Sequence, residues 1–260
     1  MFKSVTSSFG SAMPLDIYPP QPLCEEDDFS SVILILQGVE IDKSEYAAIA
    51  TEFNQHQFWV IIPNCYPAGR DYLCPENCSA EKAIAALKSA SSGPLDRALQ
   101  RGVILLGHSA GGMAAFGALA VNSPELFTKL RAIVTYGSGA PSNTSYISPL
   151  PPILMLSGQK DSVVPQQLSR SAFQRIPTSA KTFIELNGLN HYSINESQQP
   201  IGSPTEENQA DFSNRDSVSS IARILKSFVQ NVKFPQENWL NSLDEDIVRA
   251  IAYSESSWQD

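Results

Sequence analysis

Short apolar runs and longer amphipathic stretches take turns along this chain. Val32 to Leu36, Phe58 to Ile62, Val103 to Leu106, Ala132 to Tyr136, Ile153 to Ser157 and Lys181 to Leu186 are mostly hydrophobic, as strands covered on both faces must be. Between them, Ser44 to Asn54, Ser79 to Ala90, Gly112 to Val121, Gln166 to Ile176 and Asp216 to Val232 repeat apolar residues at the 3.6-residue spacing of helices packed along one stripe. That alternation predicts an α/β fold: a doubly wound, mostly parallel sheet with helices on both faces, joined by right-handed crossovers. Met13 to Tyr18, closed by Pro19-Pro20, is predicted as an extra edge strand ahead of the core. Asp244 to Ala252 is predicted as a last helix, and residues 1–12 and 254–260 as poorly ordered termini.

In open parallel sheets, sites form outside the carboxyl ends of the strands. Three long connections fall there: Pro63 to Cys78, Gly137 to Pro152, and Asn190 to Asn214. They are expected to rim a pocket. Within the last, Asn195 to Asn214 reads either as a flap or as an ordinary solvated loop.

The chain has 260 residues, 42% hydrophobic and 17% charged, which suits one globular domain spanning 1–260 with a large core. No repeat or linker divides it. A net charge of −9 argues against a surface built for nucleic acid or for anionic membrane. No apolar run is long enough to span a bilayer, and Met1 to Ser8 lacks the apolar core of a signal peptide, so a cytoplasmic protein is expected. The cysteines are Cys24, Cys65, Cys74 and Cys78. No second cysteine pair or histidine cluster accompanies them, so no metal site is expected. Free thiols are expected in a reducing cell interior, and a disulfide closing the 65–78 loop stays open as the alternative.

The chemistry concentrates at Val103-Ile104-Leu105-Leu106-Gly107-His108-Ser109-Ala110-Gly111-Gly112 and the alanine-rich run that follows. Strand, Gly-x-Ser-x-Gly turn and helix in that order form a nucleophile elbow. Gly107 and Gly111 leave the room that side chains would fill, and the following helix turns its free N–H groups toward the Ser109 hydroxyl.

A serine needs a base. Of three histidines, His56 ends a polar helical stretch and His108 sits beside Ser109 on a turn that points it away from the hydroxyl. His191 follows the last core strand and is the expected base. The third member must be a carboxylate that holds the imidazole tautomer. Asp161, in Gly158-Gln159-Lys160-Asp161-Ser162-Val163-Val164-Pro165, directly follows the strand ending at Ser157. Asp71, Asp96, Asp211 and Asp216 follow no core strand as closely. An oxyanion would need two donors, each worth about 3 kcal/mol. The Ala110 amide is one, and the Val39 amide, with Gly38 allowing close approach and Gln37 shaping the loop, is the other. Gln37, Tyr66, Tyr146 and Tyr192 are the candidate substrate contacts. Tyr72, Ile147 and Ile194 add apolar surface to the same rim, which serves equally as packing.

Gly107 to Gly112, Gly158 to Pro165 and Gly188-Leu189-Asn190-His191-Tyr192 resemble the nucleophile, acid and base segments of the α/β-hydrolase superfamily, in its dienelactone hydrolase, cutinase-like and chlorophyllase branch. The likeness spans about Pro14 to Val232. It implies a serine esterase with a Ser-His-Asp triad and neither metal nor organic cofactor, acting on a small-molecule substrate, an ester with a hydrophobic acyl or alcohol part, of which a chlorophyllase-type phytyl ester is the most specific candidate. Gln37-Gly38 stands where many relatives carry His-Gly. Ala110 replaces a larger or charged residue of chlorophyllases, and Ser109 departs from the cysteine of dienelactone hydrolases. The same triad leaves open thioester or amide cleavage, acyl transfer, or a non-catalytic ligand-binding protein on a hydrolase scaffold.

Overall fold

The computed structural model describes residues 3–5, 14–21, 31–65, 79–119, 129–142, 145–146, 148–233 and 239–257. Its strands are β1 (Lys3–Val5), β2 (Leu15–Tyr18), β3 (Val32–Leu36), β4 (Trp59–Pro63), β5 (Val103–His108), β6 (Leu130–Tyr136), β7 (Ile153–Gly158), β8 (Lys181–Leu186) and β9 (Ile251–Ser257). The helices are α1 (Ala47–Gln55), α2 (Ala80–Ala90), α3 (Pro94–Arg101), α4 (Ala110–Ala118), α5 (Gln166–Arg175), α6 (Asn214–Lys233) and α7 (Glu245–Ala250).

All nine strands join one sheet in the order β1-β2-β4-β3-β5-β6-β7-β8-β9. The six from β4 to β8 in that order run parallel, and the flanking β2 and β9 pair antiparallel. Alternate strand residues feed two cores. Ile33, Ile35, Ile104 and Leu106 pack with α1, α6 and α7 on one face. Val32, Leu34, Val103 and Leu105 pack with α2, α3, α4 and α5 on the other. Such two-sided cover explains why these strands are hydrophobic at every position rather than every second one.

The chain departs from the expected pattern at its ends. Leu15–Tyr18 is a strand, but β1 pairs outside it, so it is not the edge. Residues 3–5 and 254–257, expected to be poorly ordered, lie in β1 and β9. The predicted last helix stops at Ala250, and the chain then turns into β9. From Ile251, half-buried and exposed residues alternate, the two-residue period of an edge strand. Tyr253 covers Phe183 at 6.3 Å and lies under the Arg170 guanidinium. The stretch from Ser44 divides into a 3-10 turn, Lys43–Tyr46, and α1, with Asp42 capping the turn.

Register decides where the loops meet. Leu36 lies beside Gly107, His108 beside Tyr136, Tyr136 beside Leu156, and Gly158 beside Leu186. The carboxyl ends of β3, β5 and β6 therefore finish within one residue of one another, and those of β7 and β8 run two residues further. Between β3 and β5 the strand order reverses direction, which opens a crevice at that edge.

Candidate active site

Ser109 links β5 to α4 with φ 53° and ψ −120°, a conformation that costs a residue with a side chain about 1–3 kcal/mol. Neighbouring backbone requires the flanking glycines. A Cβ on Gly107 would fall 2.4 Å from Gly112 Cα, and one on Gly111 would fall 2.0 Å from the Leu36 carbonyl oxygen. Helix α4 is thus driven against the end of β3, with Ser109 half-exposed at its start.

His191 and Asp161 arrive from the loops after β8 and β7. Nδ1 of His191 and Oδ2 of Asp161 are 2.8 Å apart, with both side chains almost wholly buried. The second oxygen, Oδ1, accepts the Val164 N–H at 2.7 Å, so the carboxylate cannot swing without losing a bond. Gly137 supports this pair. Its φ is +55°, and a Cβ there would sit 2.8 Å from both Asp161 Oδ2 and His191 Nδ1. The residue before it, Tyr136, accepts the Ser109 N–H at 3.0 Å. Serine and imidazole thus flank the same corner at the end of β6. The Ser109 hydroxyl itself makes no hydrogen bond to the His191 ring.

His108 does more than pack. Its Nε2 lies 3.0 Å from the His191 carbonyl and its Nδ1 lies 2.8 Å from the Tyr46 hydroxyl, which also accepts the Gly38 N–H at 2.8 Å. These partners define one tautomer: Nε2 carries the proton and donates to His191, while Nδ1 accepts from Tyr46. Complete burial, with the neighbouring His191 adding to it, holds His108 well below the ordinary histidine range, so the ring is neutral. The bridge runs from the loop after β3 to the loop carrying His191.

The loop after β3 differs in detail from the expected one. The Gly38 N–H is committed to Tyr46 and cannot serve as a donor. Gly38 acts as a spacer: a Cβ there would lie 3.3 Å from Ser109 Cβ and 2.7 Å from the Ile41 side chain. The Val39 N–H makes no hydrogen bond among the described residues, and the Ala110 N–H lies in the first turn of α4, where no intrahelical acceptor exists. Gln37 is buried, with Nε2 donating to the Ile41 carbonyl and Oε1 accepting the Cys65 N–H, each at 2.8 Å. Both ends of its amide are thus spent on backbone, the loop-shaping role expected of it.

Tyr192, proposed from the sequence as a substrate contact, is fully buried, and its hydroxyl donates to the Pro204 carbonyl; Ile194 is also buried. Both pack the base loop rather than line a rim. Tyr146 is half-buried, with its ring 6.5 Å from that of Phe116. Tyr66, Tyr72 and Ile147 lie outside the described residues, as do Cys24, Cys74 and Cys78. Cys65 is buried and disulfide-bonded, to a partner outside the described residues. The free-thiol expectation therefore fails for Cys65, whose pairing no spacing rule could have assigned.

The other carboxylates and His56 lie elsewhere. Asp211 pairs with Lys160, Asp216 accepts from Ser213, Asp96 opens α3, and Asp71 is not described. His56 lies at the end of α1 and lines a cavity of about 560 Å³ with Arg131 and Lys226 at the amino end of the sheet, away from Ser109. Among the described residues no three His, Cys, Asp or Glu side chains gather to hold a metal ion, and no helix is long and apolar enough to cross a membrane.

Sequence reasoning missed four contributors. Tyr46 and Glu206 carry no motif. Ser138 donates to the Ser109 carbonyl at 2.8 Å, and Asn190 folds the base loop by accepting the Tyr192 N–H and Ser193 Oγ–H. Ser138 and Glu206 fall in long connections already expected to rim the site, but only Asn190, one residue before the base, stood inside a quoted motif. No family model matches this chain, and no curated protein matches it.

Proposed function

We propose that the protein is a serine hydrolase that cleaves a carboxylic ester through an acyl-enzyme. Ser109 would attack the ester carbonyl as His191 takes its proton, and the buried Asp161 carboxylate would hold the ring and stabilise the imidazolium. The amides of Val39 and Ala110 would hold the oxyanion. Water would then repeat the sequence on the acyl-enzyme. The observation that carries this reading is the buried Asp161–His191 pair, 2.8 Å apart, closing on the corner where Ser109 sits in a strained turn. An absent serine–histidine bond is compatible with it, because such contacts tighten when substrate arrives.

An apolar substrate portion is favoured by Met113, 40% exposed one helical turn beyond Ser109, and by the half-buried Tyr146. An ester with a hydrophobic acyl or alcohol part, a chlorophyllase-type phytyl ester being one candidate, is what that surface and the family resemblance together support.

The test is covalent labelling by a fluorophosphonate together with rates on matched ester, thioester and amide substrates. The expected outcome is labelling and ester turnover in the wild type, both abolished in Ser109→Ala, with kcat down on the order of 10⁴-fold or more. Turnover surviving in Ser109→Ala, or a thioester preferred over its matched ester, would refute the assignment.

A further inference from the structure

Glu206 is the carboxylate that the reaction leaves unused, and its surroundings are specific. It lies in the Asn195 to Asn214 segment, for which a flap was one expectation. This segment is instead tied across both loops beneath it. Asn208 Nδ2 donates to the Lys160 carbonyl at 3.0 Å, Asn190 Nδ2 donates to the Asn208 carbonyl at 2.8 Å, and the Asp211 N–H donates to the Gly188 carbonyl at 2.8 Å. Glu206 stands at the centre. One oxygen, Oε2, accepts the His191 N–H at 3.0 Å and lies 3.3 Å from the Ser162 nitrogen. The other, Oε1, accepts the Asn208 N–H at 2.9 Å, the Ser162 N–H at 3.2 Å and the Ser162 hydroxyl. Among the described residues no lysine or arginine pairs with it.

Outside its own segment, the two residues it holds are His191 itself and Ser162, the one following Asp161. At their roots the loops are already packed: the Lys160 N–H donates to the Leu189 carbonyl at 2.8 Å, and Gly158 leaves no room for a Cβ, which would fall 2.4 Å from that oxygen. Glu206 adds the second fastening, at the tips. Two loops fastened at root and tip keep a fixed separation, and that separation is the Asp161–His191 bond.

We propose that Glu206 is a positioning residue that clamps the acid and base loops and so holds Asp161 and His191 in hydrogen-bonding register. Every group facing it is a donor. A carboxylate is therefore required, and a glutamine of the same shape would turn an NH2 against either the His191 N–H or the N–H groups of Ser162 and Asn208. A residue that only filled space would tolerate that exchange.

The proposal rests on the hydrolase reading for its kinetic consequence, but its structural part can be read without turnover. The experiment compares wild type, Glu206→Gln and Glu206→Asp by steady-state ester hydrolysis and by the low-field imidazole N–H proton resonance of His191, assigned by its loss in Asp161→Asn. In Glu206→Gln, kcat is expected to fall on the order of 10–100-fold with KM changed less than about twofold, since a misplaced catalytic group slows chemistry without weakening binding. The low-field resonance should broaden or vanish. Glu206→Asp, one methylene short of spanning both loops, should move both readouts the same way by less, and serves where Glu206→Gln fails to fold. Three results would overturn the clamp: wild-type kcat and an intact resonance in either folded variant, a fall confined to kcat/KM through KM, or a wild-type spectrum lacking the resonance. Should the wild type hydrolyse nothing and resist labelling, the hydrolase reading falls while the resonance comparison still decides the clamp.

Discussion

Tyr46→Phe removes one oxygen and tests the bridge between the loop after β3 and the base loop. The ring is fully buried and its hydroxyl stands between two partners, accepting from Gly38 N–H and donating to His108 Nδ1, both at 2.8 Å. Phenylalanine keeps the ring packing but leaves a buried donor and a buried acceptor unmatched. Each costs about 1–3 kcal/mol, so a loss of about 3 kcal/mol is expected, or a melting temperature lower by on the order of 8 °C for a chain this size. Urea unfolding, followed by circular dichroism, measures it. A cycle with His108→Phe separates the bridge from the single changes: if the hydroxyl and the ring act through one bond, the double mutant should be less destabilised than the sum by about 1 kcal/mol or more. Tyr46→Phe within 0.5 kcal/mol of wild type, or strict additivity in the cycle, would refute the bridge.

Gly137→Ala should cost about 2–4 kcal/mol and at least about 10² in kcat, because its Cβ would sit 2.8 Å from both members of the Asp161–His191 pair at a φ of +55°; thermal unfolding and ester hydrolysis read the two effects, and a tolerated alanine would contradict the packing. Acid should destabilise the fold through His108. Burial lowers its folded-state pKa, so below about pH 6.5 the unfolded chain binds a proton that the folded chain refuses. The stability present above that pH is lost as pH falls below it, by on the order of 1 kcal/mol from this group for the first pH unit or so. His56, shifted the same way chiefly by burial, adds to the wild-type slope, so His108→Gln should flatten the denaturation-midpoint profile without abolishing it; equal slopes would sink the argument.

The core strands were legible because burial on both faces leaves apolar runs, unbroken in Val32–Leu36 and carried by Phe183, Ile184 and Leu186 in β8. Val32–Leu36 and Lys181–Leu186 appear with the expected bounds, and Phe58 to Ile62 moved one residue on, to Trp59–Pro63. What escaped was the marginal structure: β9, whose alternation in Ile251 to Ser257 is carried by only Ile251 and Tyr253 among large apolar residues, and α3, opened by Gly93-Pro94. The elbow was legible for a local reason, since strand, glycines and helix are contiguous. Gln37 and Tyr192 were misplaced because a polar residue beside a site looks the same in sequence whether it faces a ligand or a backbone. Their partners, Cys65 and Pro204, are 28 and 12 residues away.

The strained serine shows why the distant polar contacts matter to the local motif. A residue at φ 53° persists only where its surroundings over-determine it. Ser109 is held at both ends of its peptide: its N–H donates to Tyr136 at 3.0 Å, and its carbonyl accepts the Gly112 N–H at 3.0 Å and the Ser138 hydroxyl at 2.8 Å. Its predecessor, His108, is pinned through the ring to residues 62 and 83 positions away. The motif supplies the turn, but helix propensity and glycine alone would let α4 relax toward ordinary dihedrals. Contacts from β6, the Tyr46 turn and the base loop remove that freedom. The elbow's geometry is thus a property of the whole sheet edge, and a change at Tyr46 or Ser138 reaches Ser109 without touching its side chain.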